Sequence, residues 1–409
     1  MKEFFKVTDL EQVLAYASDF PRVGTEEILL EKAAGRVLAE NIVSNVDLPD
    51  FVRATMDGYA VKASSTFGST EGNPGYLSLK GAVEMGESPL FSIASGEAAK
   101  ISTGGMLPHG ADSVVMIEHT EAIDDATIEV YKSVAPGQNV LEKCEDVRQG
   151  ETILACGRKL RSQETGLLAA LGKEAISVYR RPVIAVISTG DEIVPVNEIP
   201  GPGQIRDINT YTLANLVRAA GGVPLPFGIV RDNFNDLLET CTKALAQSDM
   251  MLISGGSSVG TRDFTIEVLA ALPDAGILVH GISISPGKPT ILARSRNQAL
   301  WGLPGHVVSA MVVFEIVVRP FIEHIAGLSA QHKKVVKPSA MLSRNLSSAQ
   351  GRIDYVRVRL VEKEGVLWAE PILGKSGLIR TMVQADGLIE ININSEGLDK
   401  GTKVEVLLL

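Results

Sequence analysis

The chain of 409 residues is 45% hydrophobic and 22% charged, and it carries a formal net charge of −10. This composition is typical of a soluble protein of roughly two to four domains and excludes disordered, collagen-like and low-complexity classes. No run of Lys or Arg stands out, so we expect no nucleic-acid partner.

Cysteine usage and hydropathy indicate a cytoplasmic protein. The three cysteines, Cys144, Cys156 and Cys241, are spaced neither as a disulfide framework nor as a metal-binding pair, so we expect reduced thiols. The first residues lack an apolar core long enough for a signal peptide. The longest apolar run, 307–314, is far too short to cross a membrane, so we expect no membrane partner.

The first 180 residues combine helical segments with a β-rich middle. Thr8 and Glu11 have the spacing of a capping box, which predicts a helix beginning there, and a second helix is predicted over 26–40. From about Asp47 the sequence changes to short strands broken by Gly, Pro and Ser, which predict a small β-rich module. A further helix is predicted over 163–171.

Residues 182–325 alternate apolar strands with helices. Strands are predicted at 183–188 and 250–254, and helices near 211–220, 234–247, 263–271 and 306–325. Fully apolar strands alternating with helices indicate parallel βαβ units covered on both faces. In such a sheet the ligand crevice lies beyond the carboxyl ends of the strands. After Gly327 a polar linker leads to an all-β stretch, predicted to be a barrel or sandwich of about 80 residues.

Four loops of the α/β region contain the residues suited to an anion site. They cover 188–192 (STGDE), 254–260 (SGGSSVG), 286–289 (PGKP) and 302–305 (GLPG). Small side chains, hydroxyls and main-chain N–H groups opening onto a helix suit phosphate. Each loop taken alone is explained as well by turn chemistry, but four at one sheet edge favour a site. Neither GxxxxGK[ST] nor GxGxxG occurs, so Walker-type and dinucleotide sites lose support.

Acidic residues accompany these loops. Asp232 and Asp263 are expected to project into the crevice, although Asp263 alone is better explained as a helix cap. Carboxylates beside a phosphate suit Mg²⁺, which prefers oxygen ligands. The histidines lack HExxH spacing, which excludes a zinc protease. In the β-rich module, the polar interruptions at 55–61, 102–105 and 144–146 are each better explained as structural turns.

Taken together, the motifs resemble a known family. MDGYAV, STGG, MIEHTE, the pair Glu145 and Asp146, STGDE, RDN, SGGSSVG, SPGKP and GLPG follow one another in the order seen in molybdopterin molybdenumtransferases, to which the C-terminal region of gephyrin is related. The resemblance covers essentially the whole chain. It implies a multidomain α/β and β fold: a helical linker domain (1–46 with 147–180), a β-rich inserted domain (47–146), a central parallel α/β molybdopterin-binding domain (181–328) and a C-terminal β-barrel (329–409).

The resemblance also implies an activity. Members of the family insert molybdate into adenylylated molybdopterin with Mg²⁺-dependent release of AMP. The chain would form a homodimer, with each site lying between the α/β domain of one subunit and the β-rich module of the other. An upstream molybdopterin adenylyltransferase and downstream molybdoenzyme maturation factors would be its partners. Positioning and charge compensation suffice for such a transfer, so no protein nucleophile is required.

Residue roles follow from the same motifs. The resemblance implies five catalytic acids: Asp57, Asp146, Glu192, Asp232 and Asp263. Of these, Asp57, Asp146 and Glu192 would position the metal ion or the adenylate. The substrate-binding residues would be Thr103, Gly104, Asp191, Ser254, Gly255, Gly256, Ser258, Gly260, Gly287, Lys288, Pro304, Arg352, Arg357 and Ser376. Among them, Lys288 would balance anionic charge, and Arg352, Arg357 and Ser376 would hold the oxyanion.

The chain departs from the family pattern at three places. Ser285 stands where a basic residue often precedes PGKP, His306 and Val307 stand where Asn-Pro is usual, and Lys375 stands where Gln is common. These changes leave open a tungstate-preferring paralogue or one with reduced activity. A non-catalytic molybdopterin-binding scaffold and a hydrolase of a nucleotide-like pyrophosphate remain alternatives. The converging acids favour the enzyme, since a scaffold has no need of them.

Overall fold

The computed structural model describes residues 7–255, 264–333 and 335–409. The chain divides into two compact units. The first comprises Met1–Glu40, Cys156–Ser162 and Ala175–Leu409, and the second comprises Asn41–Ala155 and Gln163–Glu174. Among the described residues, no helix is long and apolar enough to cross a membrane. The division into four domains stays a prediction.

Short strands dominate the first 180 residues. They are β1 (Thr25–Leu29), β2 (Ile42–Val43), β3 (Arg53–Ala54), β4 (Gly58–Val61), β5 (Gly75–Ala82), β6 (Glu97–Ile101), β7 (Ser113–Met116), β8 (Thr120–Ala122), β9 (Thr127–Val130), β10 (Val140–Leu141), β11 (Thr152–Leu154) and β12 (Ala175–Tyr179).

Later strands build the central sheet and the C-terminal barrel. They are β13 (Val183–Thr189), β14 (Ile193–Val194), β15 (Ile205–Arg206), β16 (Val223–Val230), β17 (Met250–Ser254), β18 (Ala275–His280), β19 (Ile284–Ser285), β20 (Ile291–Ser295), β21 (Gln298–Leu303), β22 (Ser339–Leu342), β23 (Leu346–Ser347), β24 (Ile353–Lys363), β25 (Val366–Pro371), β26 (Gly387–Ile391), β27 (Gly397–Leu398) and β28 (Lys403–Leu408).

The helices lie mostly in the α/β region. They are α1 (Leu10–Ala15), α2 (Ser162–Ala170), α3 (Asn209–Ala219), α4 (Phe234–Leu245), α5 (Phe264–Ala271), α6 (Val307–Val313), α7 (Arg319–Ile325) and α8 (Arg380–Val383). A π-helical turn, Phe314–Val318, joins α6 to α7, so the helix predicted over 306–325 is present but interrupted. Pro320 lacks the N–H that a regular helix would require there, which accounts for the irregular turn.

The helix predicted over 26–40 is wrong. Residues 25–29 form β1, which pairs antiparallel with β12 from Thr25 opposite Tyr179 to Leu29 opposite Ala175. Gly35 then adopts a φ of 78°, which ends any helical path. Pairing with a strand 150 residues away along the chain overrides the local helical pattern. The Ser177 N–H also donates to Glu40 Oε1 at 2.9 Å.

The N-terminal helix is confirmed, but its predicted capping box is not formed. Helix α1 begins at Leu10, Asp9 is its N-cap residue, and no side chain caps the helix. Thr8 instead uses its backbone, donating its N–H to the Gly281 carbonyl at 2.9 Å. The segment before α1 is therefore anchored to the α/β region through main-chain pairing.

The second unit contains a six-stranded sheet in the order β7-β4-β6-β5-β9-β8. All four residues of β4 are buried between β6 and β7. Gly58 begins this strand because a Cβ there would lie 1.9 Å from the Val115 carbonyl oxygen. The close approach fixes where β4 starts, and with it the position of Asp57 just before the strand. The predicted β-rich character of this region is confirmed.

The first unit contains a central sheet in the order β16-β13-β17-β21-β20-β18. Strands β16, β13, β17 and β21 are parallel, as the alternating pattern predicted. Strand β20 is antiparallel to both β21 and β18, because a tight hairpin with Ser295 opposite Gln298 reverses the chain. This hairpin was not predicted; its signal is the pair Arg296 and Asn297, with Arg296 at a φ of 51°.

Both faces of the central sheet are covered. Ile184 and Val186 of β13 pack in one hydrophobic cluster with α3, α6 and α7, whereas Ala185 and Ile187 pack in another with α4 and α5. The C-terminal strands β24, β25, β22, β28 and β26 close into a five-stranded barrel through pairing of β24 with β26. Of the two predicted alternatives for this region, the barrel is therefore confirmed.

Trp301 lies at the centre of the larger cluster and gives a test of the core. Its side chain is fully buried and edge-on to Phe321, with ring centroids 4.9 Å apart. We expect Trp301→Ala to lower the free energy of unfolding by about 3–5 kcal/mol, because the cavity cannot fully collapse. Urea unfolding followed by circular dichroism measures the change.

A conservative variant sharpens this test. The Trp301 indole N–H has no hydrogen-bond partner among the described residues. Trp301→Phe removes that buried donor and keeps the aromatic packing, so its loss should be well below that of Trp301→Ala. Trp368→Phe is the control, because the Trp368 side chain on β25 is only half-buried. Wild-type stability of Trp301→Ala would contradict the assigned packing.

Candidate functional site

The parallel register of the central sheet places the predicted loops at one edge. Ser188 of β13 pairs with Ser254 of β17, and Ser254 pairs with Leu303 of β21. The loops that follow these strands, at 190–192, from 255 and at 304–305, therefore begin side by side. The PGKP turn belongs to the same edge, because β20 runs the opposite way and Ile291, near its start, pairs with Gly302. The expected convergence of the four loops is confirmed for their described residues.

Two acids of this edge are fixed to each other through the main chain. The Thr189 hydroxyl donates to Asp232 Oδ1 at 2.7 Å, and the Asp232 N–H donates to Asp191 Oδ1 at 3.2 Å. The Gly190 N–H donates to the Val230 carbonyl at 3.2 Å, which joins the ends of β13 and β16. Asp191 and Asp232 are thus held together at the carboxyl edge, and the exposed Glu192 follows them in the chain.

Ser254 and Gly255 end the central strand β17. Ser254 is fully buried, and its hydroxyl has no hydrogen-bond partner among the described residues. Gly255 has a φ of 115°, and a Cβ there would lie 2.1 Å from the Thr189 carbonyl oxygen. Glycine is therefore required for the two loops to approach. The predicted residues Gly256, Ser258, Gly260 and Asp263 lie outside the described residues.

A polar network beneath the crevice was not predicted. Asp207 Oδ1 accepts hydrogen bonds from the Ser188 hydroxyl and the Thr210 N–H, both at 3.0 Å. Asn209 begins α3 and donates from Nδ2 to the Gly305 carbonyl at 2.8 Å. Its buried Oδ1 has no partner within the described residues. The signal in the sequence was the polar pair Asp207 and Asn209 flanking a helix start, the usual pattern of a helix N-terminus.

The PGKP turn is rigidly built. Gly287 has a φ of 119°, and its carbonyl accepts a hydrogen bond from the buried Thr290 hydroxyl at 2.6 Å. The Lys288 carbonyl accepts the N–H groups of Ile282 and Thr290, each at 2.9 Å. These bonds fix the backbone of Lys288, whereas its side chain is exposed. The turn therefore presents its one cation from a fixed point on the carboxyl edge.

Of the three predicted oxyanion residues, two lie beside crevice loops. The Ser376 carbonyl accepts the N–H of Val308, so the segment around Ser376 contacts the start of α6, directly after the GLPG loop. Arg352 precedes β24, whose first residues pair with β19 just before the PGKP turn. The Arg352 Nε lies 2.9 Å from Asp354 Oδ1, so its charge is already partly compensated.

Arg357 has a structural role that was not predicted. Its guanidinium donates to the Thr381 hydroxyl and, at 2.7 Å, to the Gly374 carbonyl. Burial lowers the pKa of Arg357, although a guanidinium remains protonated at neutral pH. The side chain holds the 374–381 segment that includes Ser376. Five N–H donors leave it able to bind an anion as well.

The second unit brings Asp57 and Thr103 together. The Thr103 N–H donates to Asp57 Oδ1 at 2.7 Å, and this hydrogen bond lowers the pKa of the exposed Asp57 carboxyl. The Gly104 N–H donates to the Ala54 carbonyl at 2.8 Å, which fixes the STGG turn against the end of β3, three residues before Asp57. Asp57 is therefore a fixed, ionised carboxylate.

Asp146 lies on a separate turn of this unit. Its N–H donates to the Leu48 carbonyl at 3.0 Å, and the turn contains Cys144 at a φ of 63°. Within the described residues, no group of three or more His, Cys, Asp or Glu side chains could hold a metal ion. Asp57 and Asp146 belong to the second unit and Glu192 to the first, so their joint role as metal ligands stays a prediction.

Raised pKa values make two of the three cysteines poor nucleophiles. Burial raises the pKa of the Cys241 thiol to about 12. Partial burial, with the neighbouring Asp47 carboxylate, also raises the pKa of Cys144. Both thiols stay protonated at neutral pH and are poor nucleophiles. This agrees with chemistry that depends on positioning and charge.

The contact between Gly255 and Thr189 can be tested by one substitution. An alanine at either Gly255 or Gly221 must adopt a positive φ, which costs about 1–2 kcal/mol. Only at Gly255 must the new Cβ also displace a carbonyl oxygen, since nothing lies within 4 Å at Gly221. We therefore expect Gly255→Ala to destabilise the fold more than Gly221→Ala in urea unfolding. Equal losses would contradict the close approach of the two loops.

Comparisons with known proteins cover nearly the whole chain. The model of the MoeA N-terminal region (domain I and II) matches residues 8–172, that of a probable molybdopterin binding domain matches 185–324, and that of the MoeA C-terminal region (domain IV) matches 339–409. A putative molybdopterin biosynthesis protein of Methanocaldococcus jannaschii is 38% identical over 98% of this chain and 95% of its own length.

Enzymes and solved structures are among the similar proteins. The molybdopterin molybdenumtransferase of Haemophilus influenzae is 36% identical over 81% of this chain and 80% of its own length. The crystal structure of a molybdopterin biosynthesis MoeA protein of Pyrococcus horikoshii OT3 superposes with a TM-score of 0.84 at 30% identity, covering 99% of this chain and 100% of that one. The resemblance inferred from the motifs is therefore confirmed. By sequence and by fold, this chain belongs to the MoeA family.

Proposed function

We propose that this chain is a molybdopterin molybdenumtransferase, which inserts molybdate into adenylylated molybdopterin with release of AMP. The observation that carries the proposal is the carboxyl edge of the central sheet. There the buried Ser254 hydroxyl, which has no partner among the described residues, ends β17, and the paired acids Asp191 and Asp232 follow β13 and β16, two strands in parallel register. A buried hydroxyl without a partner is costly, which favours a ligand that completes its hydrogen bonding.

The roles of the residues follow from their placement. Ser254, Gly255 and the loop after them would bind the pterin or its phosphate, with Asp191 and Asp232 as acceptors for pterin N–H groups. Lys288 would compensate the negative charge of the phosphates from its fixed turn. Arg352, Arg357 and Ser376 would hold the oxyanion, with Gly287 and Pro304 shaping the adjoining turns. These groups act by holding reactants in place.

The three predicted metal ligands are carboxylates, and Mg²⁺ prefers oxygen ligands of this kind. Asp57, Asp146 and Glu192 would hold Mg²⁺, which supplies charge neutralisation at the phosphoanhydride when bound. Hydrogen bonding from Thr103 lowers the pKa of Asp57 and keeps it ionised at neutral pH, as a metal ligand must be. Thr103 and Gly104 would fix this carboxylate and border the adenylate.

The biological setting forms part of the proposal. We infer a cytoplasmic homodimer of four-domain subunits, in which the second unit of one subunit would complete the site of its partner. An adenylyltransferase would supply the substrate, and maturation factors of molybdoenzymes would take the product. Ser285, His306, Val307 and Lys375 lie at or beside the proposed oxyanion site and leave open a preference for tungstate.

The proposed reaction can be tested by measuring AMP release. In single-turnover experiments with adenylylated molybdopterin and Mg²⁺, AMP release should require an oxyanion, because anion transfer and anhydride cleavage are coupled. Molybdate, tungstate and no oxyanion are compared by quantifying AMP. Release without oxyanion would indicate a hydrolase, and binding without release would indicate a scaffold. The preferred anion would show whether Ser285 and His306 matter for selectivity.

The proposed role of Asp57 can be tested by substitution. Asp57→Asn keeps an oxygen that can accept the Thr103 N–H but removes the charge. We expect at least a ~100-fold loss in single-turnover rate, the scale of losing one fixed electrostatic group. Circular dichroism should remain that of the wild type.

Asp124→Asn is the matched control. Asp124 also accepts a backbone N–H, from Ala126 at 2.8 Å, and also lies exposed in the second unit. Its rate should equal that of the wild type. An unchanged rate in Asp57→Asn would remove Asp57 from the site and leave the fold assignment intact.

A further inference from the structure

A large groove on the first unit lies outside the candidate site. Its volume is about 640 Å³, within the range of ligand-binding clefts. It is bordered by the turn at 158–161, helix α7, the segment after that helix and the end of β28. None of the residues placed at the candidate site borders it, so the groove needs a separate explanation.

The charge of the groove opposes that of the whole chain. Five basic residues line it, namely Arg158, Lys159, Arg161, Arg319 and Lys333, against two acids, Glu315 and Glu323. The groove therefore has a formal excess of three positive charges in a chain with a net charge of −10, while Arg319 is paired with Glu315 and Lys333 with Glu323 at 2.5 Å. A cleft lined mainly by one sign of charge concentrates the field and attracts ligands of the opposite sign.

The π-helical turn fixes one of the cations in place. Glu315 lies on this turn, and its two carboxylate oxygens accept hydrogen bonds from Arg319 Nε and Nη2 at 2.6 and 2.7 Å. Burial lowers the pKa of Arg319, but its bonds and charge pairing with Glu315 raise that pKa overall. The guanidinium is therefore a rigid, permanent cation with N–H groups beyond those used by Glu315. Such π turns occur frequently at functional sites.

The remaining wall of the groove is apolar. Val335, Val336, Leu408 and Leu409 border it with exposed side chains, and Val336 is 77% exposed. Exposed apolar residues rimmed by charge mark interaction surfaces. A small anion such as phosphate would make no use of this wall, whereas a peptide that carries both acidic and apolar side chains would use both sides.

The groove adjoins a second cavity. A smaller cavity of about 70 Å³ shares Lys159, Arg319, Glu323 and Leu328 with it and extends the basic lining to Arg36 and Arg181. An extended chain fits such a track better than a compact ligand does. The basic lining and its continuation into the second cavity therefore both favour an extended, acidic chain as the ligand.

We propose that this basic groove binds an acidic peptide segment of a partner protein. The carboxylates of the segment would pair with Lys159 and Arg319, and its apolar side chains would cover Val336 and Leu409. Association would be rapid and salt-dependent, because complementary charge steers the encounter. The inference is independent of the proposed transferase activity.

The test uses the full chain and a defined probe. The probe is a fluorescein-labelled 12-residue peptide in which Glu alternates with Leu, and the matched peptide has Lys in place of Glu. By fluorescence anisotropy, we expect only the acidic peptide to bind, and added salt should weaken it. Lys159→Glu should weaken binding about tenfold or more, the effect of reversing one charge in a complementary interface. Val336→Ser should weaken it less.

Lys243→Glu is the control variant. Lys243 is an exposed lysine of the first unit that pairs with Glu239 on α4, outside the groove. It should leave affinity unchanged, and both lysine variants should retain wild-type circular dichroism and AMP release. Equal binding of the two peptides, or unchanged affinity in Lys159→Glu, would overturn the proposal. Competition by inorganic phosphate or ATP at peptide-like concentrations would overturn it too, since the groove would then be a small-anion site.

Discussion

The structure of the first unit depends on the in-register parallel pairing of β13, β17 and β21. Because Ser188, Ser254 and Leu303 lie side by side, three loops from distant parts of the sequence begin at one edge. Each loop is then held by a hydrogen bond to its neighbour: Gly190 to the Val230 carbonyl, Gly255 to the Leu303 carbonyl, and Gly305 to the side-chain amide of Asn209. A site built from loops acquires its precision from such anchoring to rigid strands.

This anchoring determines which residue types the edge tolerates. The loops approach so closely that Gly255 has no space for a side chain, and Gly58 has none at the start of β4 in the second unit. Small residues permit the approach, while hydroxyls and buried amides supply the polar groups. Two of these groups, the Ser254 hydroxyl and the Asn209 carbonyl oxygen, have no partner within the described residues. A polar ligand at this edge would supply a hydrogen-bond partner for such atoms.

Local patterns in the sequence predicted the elements that depend on local or strongly periodic signals. Strands at 183–188 and 250–254 were recognisable because a strand buried on both faces is a nearly continuous apolar run, broken here only by the serine at its end. The segment 26–40 failed because its partner, β12, lies 150 residues away along the chain and no local pattern reveals it. Asp207 and Asn209 were missed for a related reason: their contacts to Ser188 and Gly305 exist only in the folded chain. The candidate site residues were predicted from family motifs, whereas the residues that position them required the structure.

The arrangement of charge at the edge constrains any chemistry there. Asp191 and Asp232 lie together with Glu192 next in the chain, and the cation of the PGKP turn, Lys288, is single. Two like charges 4 Å apart repel by about 4 kcal/mol at the effective dielectric of a protein surface. A phosphoanhydride beside these carboxylates would therefore be repelled if Lys288 were its only counter-charge. Further positive charge would come from Arg231, directly before Asp232, from a divalent ion and from the arginines of the C-terminal barrel. The same acids thus disfavour a simple anion-binding pocket and agree with the proposed requirement for a metal ion.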